Sequence, residues 1–211
     1  MSQRRQELLD LSARLFAERG YGATTVRDIA DEAGILSGSL YHHFSSKEQI
    51  VDEILSTFLD ELFSEYRRIM AQDLGARQKL EAVVVESFRC IDRHHAAVAI
   101  FQNEAGKLAQ SPRFSYLNDR GREFRALWRR ILQDGVRSGA FRTGLDVDLV
   151  FRFLRDTVWV AVRWYRPGGP MSAETVAAQY LDIVLDGIAA RRGRSRVANG
   201  MSSAAKERQR A

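Results

Sequence analysis

Residues 24–49, TTVRDIADEAGILSGSLYHHFSSKEQ, leave the chain little choice of local fold. Thr25 followed by Asp28 opens a helix as a capping box does, with a hydroxyl for a free amide and an acid at the positive helix end. Val26, Ile29, Ala30 and Ala33 recur at helical spacing and form one apolar face. Gly34 stands where the chain must turn sharply, and glycine enters left-handed backbone freely. A second short helix follows over residues 37–44. Its Leu40 and Phe44, four apart, pack inward, while Ser37, Ser39, Tyr41 and His42 stay outside. Ser46 with Gln49, or Ser45 with Glu48, starts a third helix. Two short helices across a tight turn, followed by a third, are the layout that presses one helix into the major groove of DNA.

Beyond this head the chain reads as all-α, with about nine helices. Helical periodicity marks them at about 3–19, 25–32, 37–43, 46–70, 76–94, 96–109, 112–138, 146–166 and 172–191. No segment alternates with period two. Gly75, Ser111-Pro112, Gly139, Gly144 and Pro167-Gly168-Gly169-Pro170 punctuate the helices. The head is expected over 1–45 and a larger helical body over 46–191, joined without a flexible linker. A shift of helix 46–70 would therefore move the head directly.

No run of 18 apolar residues is present, the N-terminus lacks the pattern of a signal peptide, and Cys90 stands alone. These features point to a cytoplasmic protein without a disulfide framework. The net charge of +5 misleads: residues 191–211 alone contribute +6, leaving −1 for the rest. This Gly/Ser/Ala-rich tail, 192–211, is expected to be disordered. Any DNA binding thus rests on the residue pattern of the head, not on global charge.

A second constellation lies in 148–170, DLVFRFLRDTVWVAVRWYRPGGP. On one continuous helix, Arg152, Arg155, Trp159, Arg163 and Arg166 share an arc of about 80°. Paired guanidinium donors grip phosphate, and indole or guanidinium planes stack on a base. Such a face suits a ligand both polyanionic and aromatic, and coenzyme A is both. The competing reading makes Trp159 a core or interface residue and lets the arginines reach water or pair with acids. Both stand at this point.

Other candidates carry less. Adjacent His94 and His95 point to different helix faces and no second cluster completes a metal site. Cys90 reads as a small core residue. The chain holds no nucleophile elbow, glycine-rich phosphate loop or paired catalytic carboxylates, so an enzyme is not expected and no cofactor is implied.

The head resembles the TetR/AcrR family of one-component regulators. The resemblance rests on Phe16-Ala17-Glu18-Arg19-Gly20-Tyr21, Thr24 to Ala30, Ala33-Gly34, Gly38 to Phe44 and Ser46-Lys47-Glu48. It implies that Ser39, Tyr41 and His42 face DNA bases and that Lys47 touches phosphate. Arg4, Arg5, Thr25, Arg27, Ser37 and Gly38 join them as the DNA-binding set, with Arg4 and Arg5 as an N-terminal arm. The family usually has serine where Leu36 stands. Leucine cannot cap a helix, so Ser37 is expected to cap it or the helix start shifts.

Phrases further along are similar to one branch of the family, actinobacterial repressors that govern degradation of the last steroid rings in cholesterol catabolism. They include Pro112 to Tyr116, Leu145 to Val150 and Val160 to Pro170. This similarity implies a homodimer paired through about 146–166 and 172–191 on a palindromic operator. It also implies release by a CoA thioester of a bicyclic steroid remnant. Arg155, Trp159 and Arg163 would hold the CoA, with Arg152, Arg166 and Trp164 beside them. The alternative is a regulator of efflux or fatty-acid genes with a different small ligand.

Overall fold

A computed structural model describes residues 3–188. Helix α1 (Gln3–Arg19) lies against α2 (Val26–Glu32), which meets α3 (Ser37–Tyr41) across a turn. Helices of seven and five residues are too short to persist alone in water. They are held by Ile29, Leu40 and Phe44, all buried in one core with Leu8 and Phe16 of α1. Gly34, at φ +65°, turns the chain between them, and Ile35 N–H donates to Ala30 O at 3.0 Å to close α2.

The long α4 (Lys47–Ala71) serves both parts of the molecule. Its first turns bury Ile50 and Val51 beside the head, and the later ones bury Leu55, Phe58, Leu59, Leu62 and Tyr66 in the body. At 1.5 Å per residue it runs about 37 Å. The body adds α5 (Ala76–Arg93), α6 (His95–Leu108), α7 (Tyr116–Arg137), α8 (Val147–Trp159) and α9 (Ala173–Ile188). α5 sits at the centre, packed on α4, α6, α7, α8 and α9. α6 also packs on α1, so the head rests on the body as well as on α4. Gly135 on α7 lets the chain fold back: a Cβ there would sit 2.0 Å from the buried Phe141 ring.

No β-strand occurs among the described residues, and nine α-helices are described. Two expected helices differ from the observed ones. The one expected over 112–138 opens as a 3-10 turn, Pro112–Phe114, before α7 begins at Tyr116. The one expected over 146–166 stops at Trp159 and tightens into a 3-10 turn, Val160–Arg163. There Tyr165 is tied down: its N–H donates to Ala161 O at 2.8 Å and its hydroxyl to Asp92 at 2.7 Å. Pro167 also disfavours helix at Arg166. The expected basic tail over 192–211, and residues 189–191 of the last expected helix, lie outside the described residues.

Candidate nucleic-acid interface and effector cavity

The head is built from local hydrogen bonds. Thr25 caps α2: its hydroxyl accepts from Asp28 N–H at 3.1 Å, while the Asp28 carboxylate accepts from the Thr25 hydroxyl and amide, both at 2.7 Å. The Thr25 hydroxyl, then its amide, holds the Asp28 carboxyl below its usual pKa. Ser46 caps α4, accepting from Gln49 N–H at 3.2 Å, and Gln49 returns the bond to Ser45 N–H at 2.6 Å.

On α3, Leu40 faces inward and Tyr41 and Gly38 are exposed, as is His42 at the C-cap; Ser37 and Ser39 are half-buried. Ser37 is not the cap. Leu36 occupies that position with no side-chain cap bond, so α3 begins with its first amides open to solvent or a partner. Arg27 is exposed and lies 3.7 Å from Asp31.

Three basic residues expected at DNA are engaged within the chain. Lys47 donates to the carbonyls of Tyr21 and Thr24, both at 2.9 Å, and lies 4.3 Å over the Tyr21 ring. Arg4 and Arg5 form no arm, because both sit inside α1. Arg4 pairs with Glu7 and donates to Ala33 O at 3.1 Å. Arg5 grips Glu53 of α4 with two donors and lies 4.5 Å over Phe44. Helix formation from Gln3 and the reach of Glu53 explain the difference.

The body encloses a cavity of about 670 Å³ between α4, α6, α7 and α8. Its inner wall is apolar, with Phe58, Leu62 and Phe63 of α4, Phe101 of α6, and Phe124, Phe151 and Trp159. Trp159 is 4% exposed and stands edge-on to Phe124 at 6.1 Å. Its indole N–H has no hydrogen-bond partner among the described residues. A buried donor left unpaired is costly.

Of the expected effector residues, Arg155 and Trp159 line this cavity. Arg155 also donates to Asp156 at 2.6 Å, as the structural reading supposed. Arg152, Arg163, Trp164 and Arg166 do not line it, and all four are exposed. The 3-10 turn at Val160 breaks the arc that one continuous helix would have made. The other basic groups of the cavity come from α7: Arg120, Arg122, Arg125 and Arg129. Arg120 pairs with Asp60 and Glu123, Arg122 with Asp119, and Arg129 lies 3.0 Å from Asp148. Arg125 has no partner among the described residues. Sequence reasoning missed this stripe, although Asn118, Arg122, Arg125 and Arg129 repeat at helical spacing.

The side of α8 away from the cavity exposes several apolar side chains among polar ones. Leu149, Phe153 and Val160 are 48%, 62% and 40% exposed, and Ile183 of α9 is 77% exposed. Elsewhere His94 meets Glu61 at 2.6 Å and His95 meets Tyr165 O at 3.2 Å. Cys90 is fully buried, and burial pushes its thiol up to about 12. No described helix is long and apolar enough to cross a membrane.

Comparison with known proteins adds two family matches. Residues 8–54 match bacterial regulatory proteins of the tetR family, and residues 73–188 match the tetracyclin repressor-like C-terminal domain. The chain is 62% identical over 188 residues to the HTH-type transcriptional repressor KstR2 of Rhodococcus jostii, covering 89% of this chain and 92% of that one. It superposes on the ketosteroid transcriptional regulator KstR2 of Mycobacterium tuberculosis with a TM-score of 0.87 and 57% identity, over 90% of this chain and 96% of that one. AibR, solved with isovaleryl coenzyme A and operator DNA, shares the fold at a TM-score of 0.73 and 20% identity, over 86% and 97% of the two chains.

Proposed function

The chain belongs to the TetR family of bacterial regulatory proteins, and from that premise we propose that it is a homodimeric transcriptional repressor released from its operator by an acyl-CoA of steroid ring degradation. The cavity carries this reading. An apolar floor suits a ring system, an unpaired indole N–H suits a carbonyl acceptor, and a rim of arginines suits phosphates. The names of the relatives, a KstR2 repressor and a ketosteroid regulator, point the same way.

In this reading residues 1–45 form the DNA-binding head, and Ser39, Tyr41 and His42 reach base edges. Gly38 allows close approach, and Thr25, Arg27 and Ser37 meet phosphates, which position rather than specify. Lys47 keeps one ammonium N–H for phosphate after its two carbonyl bonds. Arg4 and Arg5 brace the head. Two copies pair through α8 and α9, where Phe153 and Ile183 stand exposed, which demands a two-fold operator. The body, 46–191, holds the effector. Phe58 and Phe63 of the cavity lie on α4, whose first turn holds the head through Lys47, and Glu53 further along holds α1 through Arg5. A ligand that favours one position of α4 therefore biases head position, to the extent that its affinity differs between the two conformations.

The deciding experiment is a mobility shift of DNA upstream of the gene, repeated with free CoA, fatty acyl-CoA esters and ring-bearing CoA esters. The expected result is a specific shift released by a ring-bearing thioester. A specific shift that no CoA ester releases overturns the effector assignment. A cationic efflux ligand fits poorly, because the cavity rim carries Arg120, Arg122, Arg125 and Arg129.

A further inference from the structure

Leu36 is 80% exposed, a greater fraction than any other large apolar side chain among the described residues. It stands at the N-cap of α3 in extended backbone, φ −70° and ψ 144°, and its side chain makes no cap bond. Only its carbonyl is used, accepting from Ser39 N–H at 2.9 Å. Neither local physics nor packing favours leucine there. A hydroxyl or carboxylate would satisfy a free amide and stabilise the helix. An isobutyl group left in water gains nothing from burial. Of the other exposed large apolar side chains, Leu149 and Phe153 lie on α8, Val160, Trp164 and Met171 in the segment that follows it, Ile183 on α9, and Tyr41 on α3 itself. Leu36 is on the head, in the same short stretch as the exposed Tyr41 and His42. Its use therefore lies in what α3 meets.

We propose that Leu36 is a specificity-determining residue of the DNA-binding head, packing its isobutyl group against the C5-methyl of a thymine in each operator half-site. The inference rests on α3 being the recognition helix. Residues at the start of that helix contact base edges in the major groove. A leucine can donate or accept no hydrogen bond, and the thymine methyl is the apolar group a major groove offers. Cytosine at the same position has no such methyl. It would instead set its amino donor against a hydrocarbon, leaving the donor unpaired.

The test replaces each thymine of the footprinted operator, one at a time, by deoxyuridine, which deletes the methyl alone. Binding of the full chain is measured by fluorescence anisotropy. At one thymine per half-site the substitution is expected to weaken wild-type binding about 4-fold, the transfer value of one methyl. Leu36→Ser is expected to bind the thymine and deoxyuridine operators alike at that position, and to keep the wild-type ratio at every other thymine. Its thermal midpoint is expected to equal or exceed that of the wild type, since the leucine supports nothing in the fold. Equal wild-type binding to all deoxyuridine operators overturns the proposal. So does an unchanged thymine preference in Leu36→Ser, or a clear loss of its thermal midpoint. A chain that gives no specific footprint at all removes the recognition-helix reading and this inference with it.

Discussion

Lys47, in the first turn of α4, sets its ammonium 4.3 Å over the ring of Tyr21 and donates to the carbonyl of that same residue at 2.9 Å. A second bond, to Thr24 O at 2.9 Å, completes a clamp between the body's longest helix and the approach to α2. A charge-assisted bond to a carbonyl contributes about 1.5–3 kcal/mol, and a cation held over a ring about 0.5–1 kcal/mol. Lys47→Met should therefore lower unfolding free energy by at least about 2 kcal/mol, read from the urea midpoint. The same variant should weaken operator binding, and the slope of log affinity against log salt should fall by about one as a phosphate contact is lost.

Arg5 makes the opposite case. Its guanidinium is engaged by Glu53, His43 O and the Phe44 ring, and its side chain is 21% exposed. Arg5→Ala should lower stability by about 2 kcal/mol, part of it from leaving Glu53 half-buried and uncompensated. The salt slope of operator binding should stay at the wild-type value. A double-mutant cycle with Glu53→Gln should return most of that loss as coupling energy.

These two residues also mark where sequence reading reaches its limit. The head was legible because its signals are local: Thr25 with Asp28, Gly34, and Ser46 with Gln49 each act within a few residues. Arg5 was misread because its partner lies 48 residues away and nothing near it in sequence announces Glu53. The arginine arc over residues 152–166 failed for the same reason. Periodicity assumes a uniform helix, whereas bonds from Tyr165 to Asp92 and from His95 to Tyr165 O draw the chain into a tighter turn. The α7 stripe was hidden differently. Asp119 and Glu123 interleave its arginines, so it reads as an ordinary solvated face until the cavity behind it is seen.

Phe153 and Ile183 test the pairing of two copies. Both project into solvent, so replacing them removes no core packing in the protomer. Phe153→Glu would set carboxylates against a two-fold apolar face, where each must lose water without a partner. The variant should keep its helical content by circular dichroism yet sediment as a monomer. Its operator affinity should fall to that of one half-site, because the second head is no longer tethered. A dimer that persists in Phe153→Glu and in Ile183→Glu would move the interface elsewhere.

Trp159 separates a ligand contact from a structural one by the direction of two effects. Its ring packs on Phe124 and is buried, while its N–H is buried without an acceptor. Trp159→Phe keeps most of the aromatic packing and deletes the unpaired donor. Loss of ring volume costs stability, but removal of an unsatisfied N–H returns about 1 kcal/mol or more, so the net change should be small. If an effector carbonyl accepts from that N–H, effector release should need about tenfold more ligand, with operator binding unchanged. Arg125→Ala should raise the requirement further. It removes an unpaired guanidinium at the cavity rim, and a charge-assisted bond is worth about 1.5–3 kcal/mol, roughly 10- to 100-fold. Unchanged release curves for both variants, measured by titrating the ring-bearing CoA ester into the protein–operator complex, would return Trp159 to a packing role and Arg125 to the solvated surface.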